Sequence, residues 1–351
     1  MTKRKLALII VAAVLAAILI AVSVCAIIAN SKNDGSNPTD DLANWMSMIE
    51  DDVPLRCVAI PGAHDAGTKG MPYFAATQDR DIADLLNCGT RYLDLRVSYS
   101  EGKLLIYHGP SKSVPVANVL DTVKTFLTEH PSETVILDFQ HFEEKNREAQ
   151  DAVLQSITDK LGADMLVTND LGTARWFESE YMDRLTLESA RGKAIVFWGR
   201  EYDGALNNPY IFLRTDDNGN RDYSALHSYY DGSLHKKSSA AFIANALPQY
   251  LQRWQNASEK FNEGLFVLQG QLTDGLYVFG PKLREATHTD NMNEYLDGLK
   301  ESDYLQYVNI VIRDFVTPSK NCRTLQLNLN KGTVKEDGIA AFEKMILDNM
   351  N

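Results

Sequence analysis

Thr134-Val135-Ile136-Leu137-Asp138-Phe139 is a short run whose interior is apolar on both faces and rich in β-branched residues, which reads as a buried strand. A strand of that kind belongs in a parallel sheet covered by helices. Helical spacing flanks it: Val119, Leu120, Val123 and Phe126 come before, and Val153, Leu154, Ile157 and Leu161 come after. Working outward, further strand-like runs lie at 55–60, 91–97, 104–107, 194–198, 265–269 and 308–312. Ile82, Leu85 and Leu86 fit a short helix, and residues 240–254 and 337–347 fit later ones. The alternation continues for about 300 residues without an internal linker, which fits one closed barrel better than two domains. The expected fold class is α/β, an irregular (β/α)8 TIM-type barrel.

In such a barrel the carboxyl ends of the strands share one mouth, so polar residues far apart in sequence can meet there. The segment IPGAHDAGT (60–68) ends its strand in His64 and Asp65, and its Pro61-Gly62 pair is expected to turn the chain sharply at the strand exit. In GTRYLDLRV (89–97), Asp94 and Arg96 stand two residues apart and so share a face, while Arg91 looks the other way as a structural residue. YHGP (107–110) delivers His108 at another strand end, and IVIRDF (310–315) delivers Asp314. Two histidines, an arginine and buried carboxylates suit phosphodiester chemistry. One imidazole accepts a proton from an attacking hydroxyl, the other donates to the leaving oxygen, and the guanidinium neutralises phosphoryl charge.

These pieces, together with HPSETVILDF (130–139), stand in an order and spacing that resembles the X domain of phosphatidylinositol-specific phospholipase C, over most of residues 50–320 and most strongly over 57–142. The resemblance implies an irregular β/α barrel that cleaves a phosphoinositide through attack of the inositol 2-hydroxyl on its own phosphate, giving diacylglycerol and a cyclic inositol phosphate. It assigns His64 as general base, His108 as general acid with Asp65 beside it, and Asp314 as the carboxylate that orients the base. Arg96 occupies the position that is an acidic metal ligand in the calcium-dependent enzymes and arginine in the metal-independent bacterial ones. It therefore implies neither metal nor cofactor.

The resemblance weakens over the headgroup pocket. The lysine that the secreted bacterial enzymes carry late on the 134–139 strand is replaced by Asp138-Phe139-Gln140-His141. Their later aspartate and stacking tyrosine correspond to no such residues in Leu268-Gln269-Gly270-Gln271-Leu272. LDFQHF and LQGQLT instead resemble the X-domain-only branch. Gln140, Gln269, Asp94 and Arg200 are the candidate substrate-binding residues. Two other readings stay open: a phosphodiesterase acting on a different glycerophospholipid or glycolipid, and a non-catalytic headgroup-binding barrel.

The remaining features bound the setting. The 351-residue chain has a net charge of −12, and beyond residue 30 it holds 47 acidic against 32 basic residues, which argues against a nucleic-acid partner. Residues 6–29 form an apolar run of 24 that would reach about 36 Å as a helix, and residues 1–5 before it carry Lys3, Arg4 and Lys5. That pattern reads as a single-pass transmembrane anchor with a cytoplasmic basic flank, followed by a polar tether at 30–42 and an extracytoplasmic barrel at 43–351. Cleavage of the run as a signal peptide would make the protein secreted. The expected partner is a membrane phospholipid, and the expected state is a monomer. Cys57, Cys88 and Cys322 cannot form a disulfide framework, although adjacent strands could bring the first two together. His130, His227, His235 and His288 read as core or surface residues, and His141 stays open. Aromatic residues at Tyr73, Phe74, Tyr229, Tyr230, Tyr277 and Phe279 fall in expected loops.

Overall fold

The computed structural model describes residues 10–16, 38–144, 146–169, 181–182, 184–199, 208–214, 225–258, 264–273 and 280–350. Ten strands form one sheet: β1 (Ile60–Ala63), β2 (Tyr92–Ser100), β3 (Lys103–His108), β4 (Ser111–Pro115), β5 (Val135–Phe142), β6 (Ala194–Gly199), β7 (Ile211–Arg214), β8 (Leu226–Ser228), β9 (Leu265–Gln269) and β10 (Ile310–Arg313). Eight of them close a parallel ring in the order β1, β2, β5, β6, β7, β8, β9, β10. The other two, β3 and β4, form an antiparallel hairpin on the far end of the nine-residue β2. The run at 104–107 is therefore a strand outside the ring.

The ring interior changes character along the strands. Tyr92, Ile136, Ile195, Phe197, Phe212, Val267, Ile310 and Ile312 belong to one buried apolar cluster. Two residues further along, on the same strand face, stand Asp94, Asp138, Arg214 and Gln269, all buried. A polar layer thus rests on an apolar floor at the end where the strands leave the barrel. The opposite faces of β2, β5 and β6, carrying Leu93, Leu137 and Val196, pack into a second cluster under helices α1 (Ile82–Asn87), α2 (Val116–Glu129) and α3 (Arg147–Leu161). Further helices are α4 (Leu187–Ala190), α5 (Gly232–His235), α6 (Ser239–Ser258), α7 (Gly280–Leu299), α8 (Pro318–Leu325), α9 (Leu327–Lys331) and α10 (Ile339–Met350). Side-chain caps start several of them: Asp81 accepts from Asp84 N at 3.0 Å, and Asn146 from Ala149 N at 2.8 Å.

Two expectations need correction. The first strand is not at 55–60: Leu55–Cys57 is a 3-10 turn, and the strand begins at Ile60. Pro61 and Gly62 lie inside β1 rather than turning the chain, because the strand must pass very close to its neighbours. A Cβ on Gly62 would meet Ile312 Cγ2 at 2.7 Å and Tyr92 Cδ1 at 3.0 Å. The turn follows, at Asp65 (φ 45°) and Gly67 (φ 88°). Second, Cys57, Cys88 and Cys322 are all free thiols. The expected transmembrane anchor lies mostly outside the described residues, among which no helix is long and apolar enough to cross a membrane. Of the apolar run at 6–29 only 10–16 are described, and they are helical and exposed; the tether residues 30–37 lie outside the described set.

Candidate active site

His64 is the first residue past β1. Its amide still donates to Arg313 O at 3.1 Å, which extends the β1–β10 ladder and brings it abreast of Asp314. Both strand exits then enter the left-handed region, at Asp65 and at Phe315 (φ 46°). For a bulky residue such as Phe315 this is a conformation that surrounding structure must hold in place. Gln78 supplies part of that hold. Its amide nitrogen donates to His64 O at 2.8 Å and to Arg313 O at 3.0 Å, and its oxygen accepts from Val316 N at 3.0 Å. The buried Lys320 ammonium supplies more, donating to Phe315 O (2.8 Å), Asp314 O (3.1 Å) and Glu285 Oε1 (2.8 Å).

Around this frame five side chains converge. His64 Nδ1 donates to Asp314 Oδ1 at 2.7 Å, which leaves Nε2 facing the mouth. His108 Nδ1 donates to Ala75 O at 2.7 Å, which likewise turns Nε2 inward. The two Nε2 atoms each lie 3.4 Å from the same oxygen, Asp65 Oδ2. The Arg96 guanidinium pairs with the other Asp65 oxygen through Nε, and its Nη2 lies 3.4 Å from His64 Nε2. Asp65 is fully buried, while His64, His108 and Arg96 are partly open to the mouth.

The charges tune one another. Burial pushes the His64 imidazole down, but the carboxylates of Asp65, Asp314 and Asp94 outweigh it and raise its pKa to about 9. Burial raises Asp65, and Arg96, His64, His108 and His141 more than offset this, holding it at about 2. Asp94 is raised to about 7 by burial and by the negative Asp65 beside it. Asp314 is also raised by burial, against the pull of His64.

A cavity of about 240 Å3 opens above these groups, lined by His64, Arg96, His108, Asp314, Gln140, His141, Gln269, Gln271, Tyr230 and Phe74 among others. The expected substrate-binding residues divide. Asp94 does not line the cavity; it lies beneath, accepting from the Asp65 amide at 3.4 Å with Oδ2 4.0 Å from His64 Nε2. Gln140 does line it. With its amide turned to satisfy both ends, it donates to Asp94 Oδ1 at 3.0 Å and accepts from Arg214 Nη2 at 3.1 Å. Arg214 in turn pairs with Asp138 at 3.0 Å, and Asp138 accepts from Tyr92 Oη at 2.5 Å. Gln269 donates to Ser228 Oγ at 2.7 Å and accepts from Gln271 Nε2 at 2.6 Å. Arg200 lies outside the described residues, as do Tyr277 and Phe279.

A bulge in β5 settles where His141 stands. The β2–β5 register slips after Leu95/Phe139, so that Arg96 pairs with His141 instead of Gln140 and both β5 residues reach the cavity. The structural readings of the other histidines hold: His130 meets Asn44, His227 packs on Trp254, and His235 and His288 are buried with both ring nitrogens engaged. Arg91 is buried on Glu133 at 2.8 Å. Sequence reasoning passed over Gln271, Gln78, Lys320 and Glu285. Only Gln271 carried a usable signal, since it lies two residues past Gln269 and so continues the same strand face. Asp65, Asp94 and His64 bring one donor atom each within 4.8 Å of one another, the described group best placed for a metal ion.

Residues 52–199 match the family model for the phosphatidylinositol-specific phospholipase C X domain. The human PI-PLC X domain-containing protein 3 is 30% identical over 160 residues, 35% of this chain and 50% of that protein. The 1-phosphatidylinositol phosphodiesterase of Listeria monocytogenes is 33% identical over 111 residues, 29% of this chain and 34% of that protein. The chain thus matches half or less of the length of these two curated relatives. The solved phosphatidylinositol-specific phospholipase C from Listeria monocytogenes superposes with a TM-score of 0.62 at 21% identity, covering 82% of this chain and 98% of that one, a likeness of fold. The barrel, the motifs in their order and the family model agree over residues 52–199, which match the X domain of phosphatidylinositol-specific phospholipase C.

Proposed function

We propose that this chain cleaves the phosphodiester of phosphatidylinositol or a closely related lipid by attack of a headgroup hydroxyl on its own phosphorus, without a metal ion. The observation that carries the reading is the placement of two imidazole Nε2 atoms 3.4 Å from one carboxylate oxygen, with a guanidinium beside them. A phosphate seated there has a proton acceptor on one side and a proton donor on the other. His64, its tautomer set by Asp314, takes the proton of the attacking hydroxyl. His108, its Nδ1 fixed on Ala75 O, returns one to the departing diacylglycerol oxygen. Arg96 offsets charge on the phosphoryl oxygens as it builds. The products are diacylglycerol and a cyclic phosphodiester of the headgroup.

Arg96 also supports the metal-free reading. A calcium ion takes six to eight oxygen ligands. Here the metal-capable group offers two carboxylates and a ring nitrogen, and one of those carboxylates already faces the guanidinium. Arg96 supplies the positive charge that an ion would bring.

The test is a product assay on phosphatidylinositol in neutral vesicles containing a chelator. Cyclic inositol phosphate is expected in full yield. Loss of turnover that calcium restores would overturn the metal-free part, and no release from phosphatidylinositol would overturn the substrate. The apolar run at 6–29 and its basic flank support a bilayer anchor with the barrel on the extracytoplasmic side, checked by membrane fractionation and protease access from either face.

A further inference from the structure

Past β9 the chain presents a second kind of chemistry to the cavity. Gln269 and Gln271 form an amide relay that begins on Ser228: Gln269 Nε2 donates to Ser228 Oγ at 2.7 Å, and Gln271 Nε2 donates to Gln269 Oε1 at 2.6 Å. The relay ends on Gln271 Oε1, a buried atom with no hydrogen-bond partner; Gln271, only 1% exposed, is one of the residues around the catalytic cavity. A buried acceptor left unmet is costly, so the site gains from a donor that fills it.

The backbone under this atom is held with unusual care. His235 Nδ1 donates to Gln271 O and His288 Nε2 donates to Gly270 O, each at 2.7 Å. Their other nitrogens accept from Tyr250 Oη at 3.0 Å and Ser239 Oγ at 2.8 Å. Gly270 itself admits no side chain, because a Cβ would stand 2.8 Å from Ile312 O. Two imidazoles from α5 and α7 therefore pin consecutive carbonyls, and Gln271 is presented to the cavity at a fixed position.

From this we infer that Gln271 is a specificity-determining residue that recognises a hydroxyl of a polyol headgroup. The inference deepens the proposed reaction and rests on it for the identity of the lipid. A hydroxyl fits because it donates to Oε1, and because it also accepts should the relay run in reverse and leave an N–H instead. A phosphate oxygen and a quaternary ammonium both lack a hydrogen to donate to Oε1, and both are therefore disfavoured at this contact.

The experiment uses the full chain and two readouts. In the first, kcat/KM is measured on phosphatidylinositol and on monodeoxy analogues that each lack one hydroxyl other than the attacking one. Gln271→Met should lower kcat/KM on phosphatidylinositol about 10–100-fold and should cost little further on the one analogue whose missing hydroxyl Gln271 holds. Equal losses on every analogue, or no loss at all, overturn the inference. The second readout is calorimetric binding of free myo-inositol, which needs no turnover. Binding weakened at least tenfold by Gln271→Met, and kept by the Gln271→Glu variant that retains an acceptor oxygen, supports the inference. Unchanged binding in Gln271→Met, or no binding to the parent chain, overturns it. Cleavage that is absent while inositol still binds through Gln271 sinks the proposed reaction and spares this contact.

Discussion

The two sides of the barrel mouth are built from different materials. The exits of β10, β1 and β2 and the hairpin carry charge: Asp314, His64, Asp65, Arg96 and His108, each fixed by another member of the group or by a backbone carbonyl. The wall after β8 and β9 carries neutral donors and acceptors: Ser228, Gln269, Gln271, and Tyr230 paired with Thr273 at 2.9 Å. The charged side suits bond making and breaking, and the neutral side suits telling one headgroup from another. The match to the X-domain family ends at residue 199, before β7, β8 and β9 begin. His64, Asp65, Arg96 and His108 fall inside the matched stretch, whereas Asp314 and the neutral wall lie beyond it.

Three substitutions probe that division. The largest effect belongs to His64→Ala, expected to lower kcat about 10³-fold on every headgroup the protein accepts. If the loss depends on headgroup, the charged side also reads the substrate and the division fails. An intermediate effect is expected of Asp314→Asn, read in the pH profile of kcat/KM. His64 must be unprotonated to accept a proton, and its pKa in the free protein is raised to about 9 by neighbouring carboxylates, so activity rises with pH toward that value. Removing one of those charges moves the rising limb to lower pH by about one unit or more and lowers the plateau roughly tenfold as the tautomer is released. An unmoved limb assigns it to another group. The smallest effect is expected of His288→Leu, which leaves Gly270 O unpaired. KM should rise a few-fold with kcat nearly constant, and stability should fall by about 1–3 kcal/mol, read by denaturant unfolding. A drop in kcat instead would tie the neutral wall to the chemistry.

The same contrast governs how much could be read from sequence. Polar residues at the ends of apolar strands are conspicuous, and the ordered motifs that hold His64, Asp65, Arg96, His108 and Asp314 make them legible in the sequence. The neutral wall was nearly invisible. Strands β7 and β8 have four and three residues, too few to show a period. Helix α7 escaped notice because its buried face includes Glu285, His288 and Thr289, so its apolar stripe is broken where it braces the site. β1 was misplaced for a related reason: Pro61 and Gly62 are turn residues by habit, and only the packing of Ile312 and Tyr92 against Gly62 shows why a strand needs them. The roles given to Gln140 and Asp94 were also read too simply. Both are polar and close to the reaction, yet Gln140 spends its amide on Asp94 and Arg214, and Asp94 lies below the cavity.

One asymmetry in the ring sets the mechanical character of the molecule. His64 leaves a strand with a neighbour on each flank, whereas His108 caps a hairpin joined to the sheet along β2 alone. The gap between the two rings is therefore spanned by two unlike supports, a closed ring on one side and, on the other, a ribbon held by Ile106 in the core and by Ser113 on Gly67 O. An inhibitor that bridges both rings would tie the two supports together.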